Sequence, residues 1–511
     1  MSYNILGIIY IGSSEIHLKI SQKKKKNIEI VENCIKKIQI GKQAYEEGKI
    51  NNEKIDIIIE YINKYSKLCT EYGVEKIKLI ASTAVRESKN RDLIKDRIFR
   101  ETGVNLEVLS DDELKNLVFM SMYKIIKKDR YVNENSVLSF IGTGNLGIAF
   151  YENKKIRFIQ NILIGTLKLY EISKSAEKYS HKTYLLIKEQ LDMYIKFLPD
   201  YLSQKDKNNF IFTGRMANTI KNNCKNTESN DFYTIEKEDF DKLYFTVIDL
   251  NIEKIAYKYN ISKEYAREFL IAIVIIENLM TISNFTRIMI PRVYYFDILF
   301  LKFLDIKQYK LIKNKFNEFS IANSYRISEN YKSLDNHIKY INKITKKIIK
   351  KLDKDLSFTN NERLYLEIAI ILHNVGKFIN PDKHYINSEY IVKNTNIIGL
   401  NERERLIISL IIKYQSYLTP EEDDYEYEKL EYVDKMIVSR LSTILKIADS
   451  LDKNYRQKFE SVILKRYKNN IKFILETKED SSIEQMKFVE YKEYFKEVFG
   501  INLEIEIRRV Y

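Results

Sequence analysis

The chain has 511 residues, 45% of them hydrophobic and 31% charged, a balance that excludes a disordered polymer and exceeds what one hydrophobic core usually serves. Its formal net charge of +14 favours polyanionic partners, but the lysines are scattered, and the clearest run, Lys23 to Lys26, falls where a hairpin turn puts it in solvent. Cys34, Cys69 and Cys224 form no disulfide framework, no apolar stretch reaches membrane-span length, and the N-terminus lacks signal-peptide features, so a reducing, cytoplasmic setting is expected.

In chain order, Ile5 to Ile20 and Ile28 to Ile40 read as strands flanking the lysine turn. Helical spacing over Glu53 to Tyr72 is followed by a short strand, Lys76 to Ala81, running into the helix start Ser82-Thr83-Ala84-Val85-Arg86-Glu87. Asn105 to Leu109 is a further strand, and Asp111 to Lys127 a helix capped by Ser110. The pattern then restarts: strand Val137 to Ile141, loop Gly142-Thr143-Gly144-Asn145, and returning strands Gly147 to Tyr151 and Arg157 to Ile162. Phe210 to Thr213 supplies a strand into Gly214, and Ser262 to Ser283 a helix. Two halves that open alike predict a duplicated α/β fold with a cleft between them. Beyond about Leu304 the chain reads as helical, apart from Asn470 to Leu475 and Leu503 to Ile507, with a boundary in the polar, lysine-rich interval Asp305 to Glu329.

Binding and hydrolysing a phosphoanhydride needs a cradle for phosphate oxygens, carboxylates for Mg²⁺, and a group that orients water. Gly12-Ser13-Ser14 and Gly142-Thr143-Gly144-Asn145 can supply the cradle, because glycine lets backbone N–H groups converge and the side chains add donors.

Four segments, Leu6 to Ile20, Ile80 to Asn90, Thr102 to Ser110 and Val137 to Glu152, resemble in order and spacing the N-terminal signatures of the exopolyphosphatase/guanosine pentaphosphate phosphohydrolase (Ppx/GppA) family. Gly165, within Ile162 to Leu169, looks like the family's next turn. The resemblance implies two actin-like, ribonuclease H-like lobes of the acetate and sugar kinase/heat-shock protein/actin superfamily, residues 1–130 and 131–304, followed by an all-α HD-like domain over 315–511. It implies phosphate-binding roles for Gly12, Ser13, Ser14, Arg86, Gly142, Thr143, Gly144, Asn145 and Gly214. Arg86 has two readings, bidentate phosphate binding or an ion pair with a local carboxylate.

The carboxylates fare worse. Tyr10 stands where the family has its first-loop Asp, Leu114 where it has its catalytic Glu, and Phe140, Asn145 and Gly147 where the second loop offers Asp, Ser and Glu. Glu113 is the neighbouring acid that could take over, about 100° round the helix from Leu114.

The later module carries Leu372-His373-Asn374-Val375-Gly376-Lys377 and Ala448-Asp449-Ser450-Leu451-Asp452, which look like an HD domain. His337, His373 and Asp449 match HD metal positions, but Asn374 replaces the paired Asp, Gln415 and Asn387 replace further histidines, and no metal is expected. His17 and His181 have no partners in sequence.

The expected function is a Ppx/GppA homologue that binds polyphosphate or a guanosine polyphosphate between the lobes, a pseudoenzyme with weak or lost hydrolysis. The competing reading is an active exopolyphosphatase using Mg²⁺ and Glu113. An HD phosphohydrolase acting alone is argued against by Asn374. A homodimer stays open as a partner arrangement, nucleic acid is disfavoured, and no membrane is expected.

Overall fold

The computed structural model describes residues 4–25, 27–127, 135–176, 183–196, 209–283, 285–292, 296–416, 419–420 and 424–510. The chain divides into two compact units, Met1–Phe316 and Asn317–Tyr511.

In the first unit, among the described residues, β1 (Ile5–Ile11), β2 (Glu15–Lys24) and β3 (Asn27–Lys37) form an antiparallel meander. β4 (Lys76–Ala81) then pairs parallel to β1, and β5 (Leu106–Val108) parallel to β4, giving the order β3-β2-β1-β4-β5. β1 is central and buried on both faces, which is why Leu6 to Ile11 is an unbroken apolar run apart from Gly7. Gly7 is required there: a Cβ would stand 2.7 Å from the Cys69 sulfur.

The same connectivity repeats. β6 (Ser136–Ile141), β7 (Leu146–Glu152) and β8 (Lys155–Ile162) form a second meander, β9 (Asn209–Gly214) pairs parallel to β6, and β12 (Arg287–Pro291) parallel to β9. Two strands extend this sheet beyond the repeat, β11 (Phe232–Glu236) antiparallel to β12 and β10 (Thr227–Glu228) at the edge. The helix Lys263–Ser283 lends its face Phe269, Leu270, Ile273, Ile276 and Met280 to the core of this lobe. The duplicated α/β architecture expected from the sequence is therefore present.

In the β2–β3 turn, Lys23 lies 3.9 Å from Asp305 and Lys24 bonds Glu29 at 3.2 Å; Lys26 lies outside the described residues, as does His181. His17 is buried and hydrogen-bonded to Asn33.

The interval taken as a polar boundary is one helix, Ile306–Asn330, which runs through the division between the units. Its lysines lie among a buried row of Ile312, Phe316, Phe319 and Ile327, a spacing that composition alone obscures.

The second unit corrects the expectation of an all-α module. Helices Asp335–Leu356, Asn360–Leu372, Glu402–Tyr414 and Tyr432–Ser450 share one core with a three-stranded sheet, β13 (Phe459–Tyr467), β14 (Asn470–Thr477) and β15 (Asn502–Arg509). β13 pairs antiparallel to β14, and β15 returns parallel to β14 after the helix Ser482–Phe499. In β13 a register shift after Phe459 interrupts the two-residue alternation, so its buried Phe459, Val462 and Leu464 do not announce a strand.

Candidate functional site

Both meanders turn through the same device. Gly12 N–H donates to the Glu15 carbonyl at 2.9 Å, and Gly142 N–H to that of Asn145 at 2.9 Å, closing two hairpins of equal length. Each turn is buttressed by the chain that follows its meander. Gly41 N–H donates to the Ser13 carbonyl at 2.6 Å, while Thr166 and Leu167 donate to the carbonyls of Gly142 and Thr143, each at 3.0 Å. Gly165 has no alternative residue: a Cβ would stand 2.5 Å from the amide nitrogens of Gly144 and Asn145.

The two loops face one another. The Ser13 and Thr143 hydroxyls lie 3.3 Å apart, and the Asn145 amide donates to Asp111 Oδ1 at 3.1 Å. Gly214, on β9, is paired with Ile141 immediately before the second loop. The structure thus brings Gly12, Ser13, Ser14, Gly142, Thr143, Gly144, Asn145 and Gly214 to one place.

Tyr10 and Phe140 occupy equivalent positions two residues before the loop glycines. A Cβ on Gly12 would meet the Tyr10 ring at 3.0 Å, and one on Gly142 the Phe140 ring at 3.1 Å, so each ring lies against its own loop. Both are buried, and the Tyr10 hydroxyl bonds Ser82 Oγ at 2.5 Å, where strand β4 passes into the helix Thr83–Glu87. Sequence comparison marked these as missing carboxylates; that the rings occupy the loops is a packing fact.

The nearby acids are engaged. Asp112 bonds Lys115 at 2.5 Å with both side chains buried. Glu113 completes a capping box: its Oε2 accepts from Ser110 N–H at 2.9 Å and its own N–H donates to Ser110 Oγ at 3.2 Å. Leu114 is buried, facing away from solvent one position on.

Arg86 is engaged by protein groups in this structure. Nη2 bonds Asp111 Oδ1 at 2.5 Å, Nη1 the Leu109 carbonyl at 2.9 Å, and Nε Glu87 at 3.1 Å. Burial pushes the Asp111 carboxyl up from its ordinary range, against the pull of the Arg86 guanidinium. With all three nitrogens bonded inside the protein, Arg86 holds β4, Asp111 and, through Asn145, the second loop. Arg86→Ala is expected to lower the stability of the unit by about 1–3 kcal/mol through loss of charged hydrogen bonds. Lys24→Ala, at an exposed ion pair, should change it by less than about 0.5 kcal/mol. Thermal unfolding of the two variants makes the comparison.

One carboxylate beside the second loop escaped sequence reasoning. Glu268 is 2% exposed, accepts from Arg215 Nη1 at 2.6 Å and from the Thr166 hydroxyl at 3.2 Å, and so ties the residue after Gly214 to the one after Gly165. Burial raises its pKa against Arg215. The legible signal was a single acid opening the apolar run Phe269 to Ile276.

The donor set at the loops does not fit a hard divalent cation. Mg²⁺ takes near-octahedral oxygen ligands, commonly from one or two carboxylates; here the carboxylate positions hold rings, Leu114 and Gly147, and Asp111, Asp112 and Glu113 are bonded to protein groups.

In the second unit, His337, His373 and Asp449 come together, with facing atoms within 4.8 Å of one another. Asn374 Nδ2 lies 2.8 Å from His373 Nε2, and Lys453 pairs with Asp449 Oδ2. Lys377 stacks over the Tyr455 ring at 4.3 Å; burial draws its ammonium down to about 8, with Asp449 opposing and Lys453 assisting.

Two meanders of identical connectivity, each turning at a glycine loop and with the two loops facing one another, define an actin-like two-lobed fold. Residues 19–291 match the Ppx/GppA phosphatase family, and residues 322–491 match domain III of Ppx/GppA phosphatases. The chain belongs to the Ppx/GppA phosphatase family. Among relatives, it is 25% identical over 239 residues to a bifunctional 3-dehydroquinate synthase/phosphatase of Fusobacterium nucleatum, covering 45% of this chain and 35% of the relative. It is also 25% identical over 118 residues to exopolyphosphatase 1 of Mycobacterium bovis, covering 23% of this chain and 34% of the relative. The chain thus spans about a third of the length of these curated relatives. The crystal structure of an exopolyphosphatase from Cytophaga hutchinsonii shares the fold, with a TM-score of 0.51 at 17% identity, over 58% of this chain and 97% of that one. No described helix is long and apolar enough to cross a membrane.

Proposed function

We propose that the first unit binds polyphosphate or a guanosine polyphosphate at the opposed glycine loops, and that phosphoanhydride hydrolysis there is weak or lost. The observation that carries this reading is the pair of rings, Tyr10 and Phe140, lying against Gly12 and Gly142 at the positions where the resemblance puts aspartates. The loop amides and hydroxyls supply a phosphate cradle, and the formal charge of +14 draws a polyanion toward it. What is missing is the charge that would stabilise the transferring phosphoryl group and activate water.

The test pairs two measurements on the purified chain. Short-chain polyphosphate is expected to bind, with affinity falling as salt rises. Phosphate release from the same substrate, with Mg²⁺ or Mn²⁺, should stay near the protein-free rate. Brisk turnover abolished by Glu113→Gln would replace this reading with an active exopolyphosphatase that uses Glu113; no binding at low salt would remove the ligand assignment.

A further inference from the structure

Glu268 and Arg215 take no part in the reading above. The carboxylate is buried, with Oε1 on Arg215 Nη1 at 2.6 Å and Oε2 on the Thr166 hydroxyl at 3.2 Å. A carboxylate kept from water needs such partners, and these two fix where it stands. Thr166 is the residue whose N–H donates to the Gly142 carbonyl at 3.0 Å. Glu268 therefore holds Arg215 beside the chain that carries the second loop.

The backbone brings Arg215 to the same place. β6 and β9 run parallel and end together, Ile141 opposite Gly214, so the second loop leaves one strand end and Arg215 leaves the next. The carboxyl ends of strands in open α/β sheets are where ligands are taken. Two contacts with Tyr265 fix the side chain further: its ring centroid lies 4.9 Å from the guanidinium carbon, and its hydroxyl donates to the Arg215 carbonyl at 3.3 Å.

Arg86 and Arg215 differ in what they have left to give. Arg86 bonds protein groups through all three guanidinium nitrogens, and its side chain is 12% exposed. Arg215 bonds through Nη1 alone among the described residues, and its side chain is 26% exposed. A guanidinium pinned at one nitrogen and one face keeps Nε and Nη2, an edge that matches two oxygens of a phosphoryl group.

We propose that Arg215 is a phosphate-anchoring cation of the cradle, giving Nε and Nη2 to a phosphoryl group held at the second loop, and that Glu268 is the positioning residue that keeps it there. The proposal rests on the phosphate-binding reading of the loops, and adds the full positive charge that backbone amides and hydroxyls lack. The resemblance gives Gly214 a role in the cradle and none to the residue after it.

The test is titration of inorganic tripolyphosphate, at low salt, into the full chain and its variants. Arg215→Ala should weaken binding by roughly 10- to 100-fold, the loss of a charged hydrogen-bonded contact, and should make the affinity less sensitive to salt. Arg215→Lys keeps the charge without the fork and should recover part of the affinity. Glu268→Gln should alter binding in the unaltered chain but not where Arg215 is already alanine, because it acts through the guanidinium. Arg215→Ala with Glu268→Gln leaves no buried charge unpaired, and keeps the test decisive should Arg215→Ala alone fail to fold. Unchanged affinity in either folded variant, with only the unfolding temperature lowered, would overturn the inference and leave a structural ion pair, the loop reading intact. Failure of the unaltered chain to bind tripolyphosphate would remove the loop reading and this inference with it.

Discussion

Gly214→Ala should destabilise the first unit by about 2–6 kcal/mol, the sum of strain at a disfavoured backbone conformation and of overpacking. Gly214 has φ +147°, and a Cβ there would fall inside contact distance of the Ile141 carbonyl oxygen and 3.0 Å from its carbon. Both atoms belong to the backbone of β6, which is locked in the centre of its sheet and cannot give way as a side chain would. Gly73→Ala is the control, since φ is +65° there but nothing lies within 4 Å, so strain acts alone and about 1 kcal/mol is expected. Denaturant unfolding of the two variants measures the difference. Since whole domains are commonly stable by only about 5–15 kcal/mol, Gly214→Ala can leave the second lobe largely unfolded at 37 °C. Equal midpoints for both variants would contradict the packing described at β6 and β9.

Restoring the carboxylates implied by the resemblance should produce the largest change in activity. Leu114→Glu alone should do little, because one base without cation-holding partners lacks the charge stabilisation that phosphoryl transfer needs. Tyr10→Asp, Leu114→Glu, Phe140→Asp and Gly147→Glu together are expected to raise Mg²⁺-dependent phosphate release by on the order of 10² or more, the lower end of what a positioned general base contributes. The structure also says what this costs. Leu114 is 3% exposed, so its replacement buries a carboxylate, and Tyr10→Asp removes the bond to Ser82. A Cβ on Gly147 would meet the Phe119 ring at 3.4 Å and Phe140 Cβ at 3.6 Å, ordinary contacts, so a longer side chain at Gly147 has to pack beside the Phe119 ring. Activity should rise as the unfolding temperature falls. A folded quadruple variant with no Mg²⁺-dependent release would show that the loops no longer hold the geometry for chemistry.

The parts of this molecule that sequence made legible are those set by local pattern. Strand Lys76–Ala81, the cap Ser110 and both glycine loops follow from apolar runs, a capping residue and turn chemistry within a few positions. What stayed hidden depends on partners far along the chain. The pairing of Arg86 with Asp111, 25 residues away, and of Asn145 with the same carboxylate, 34 residues away, has no local signal in the sequence. The Glu268–Arg215–Thr166 link spans 53 and 102 residues. His337, His373 and Asp449 are legible as motif positions, and their approach to one another across 36 and 76 residues of chain is what the fold adds.

The bonds that join the two loops also set the kinetics of anything entering between them. Ser13–Thr143 and Asp111–Asn145 latch one lobe to the other, so a ligand that must pass between the loops meets a gate closed in the resting protein. Opening it breaks two hydrogen bonds of about 0.5–1.5 kcal/mol each. On these two bonds alone the open form is a minority of roughly one molecule in six to one in a hundred and sixty, and association by that route slows by the same factor.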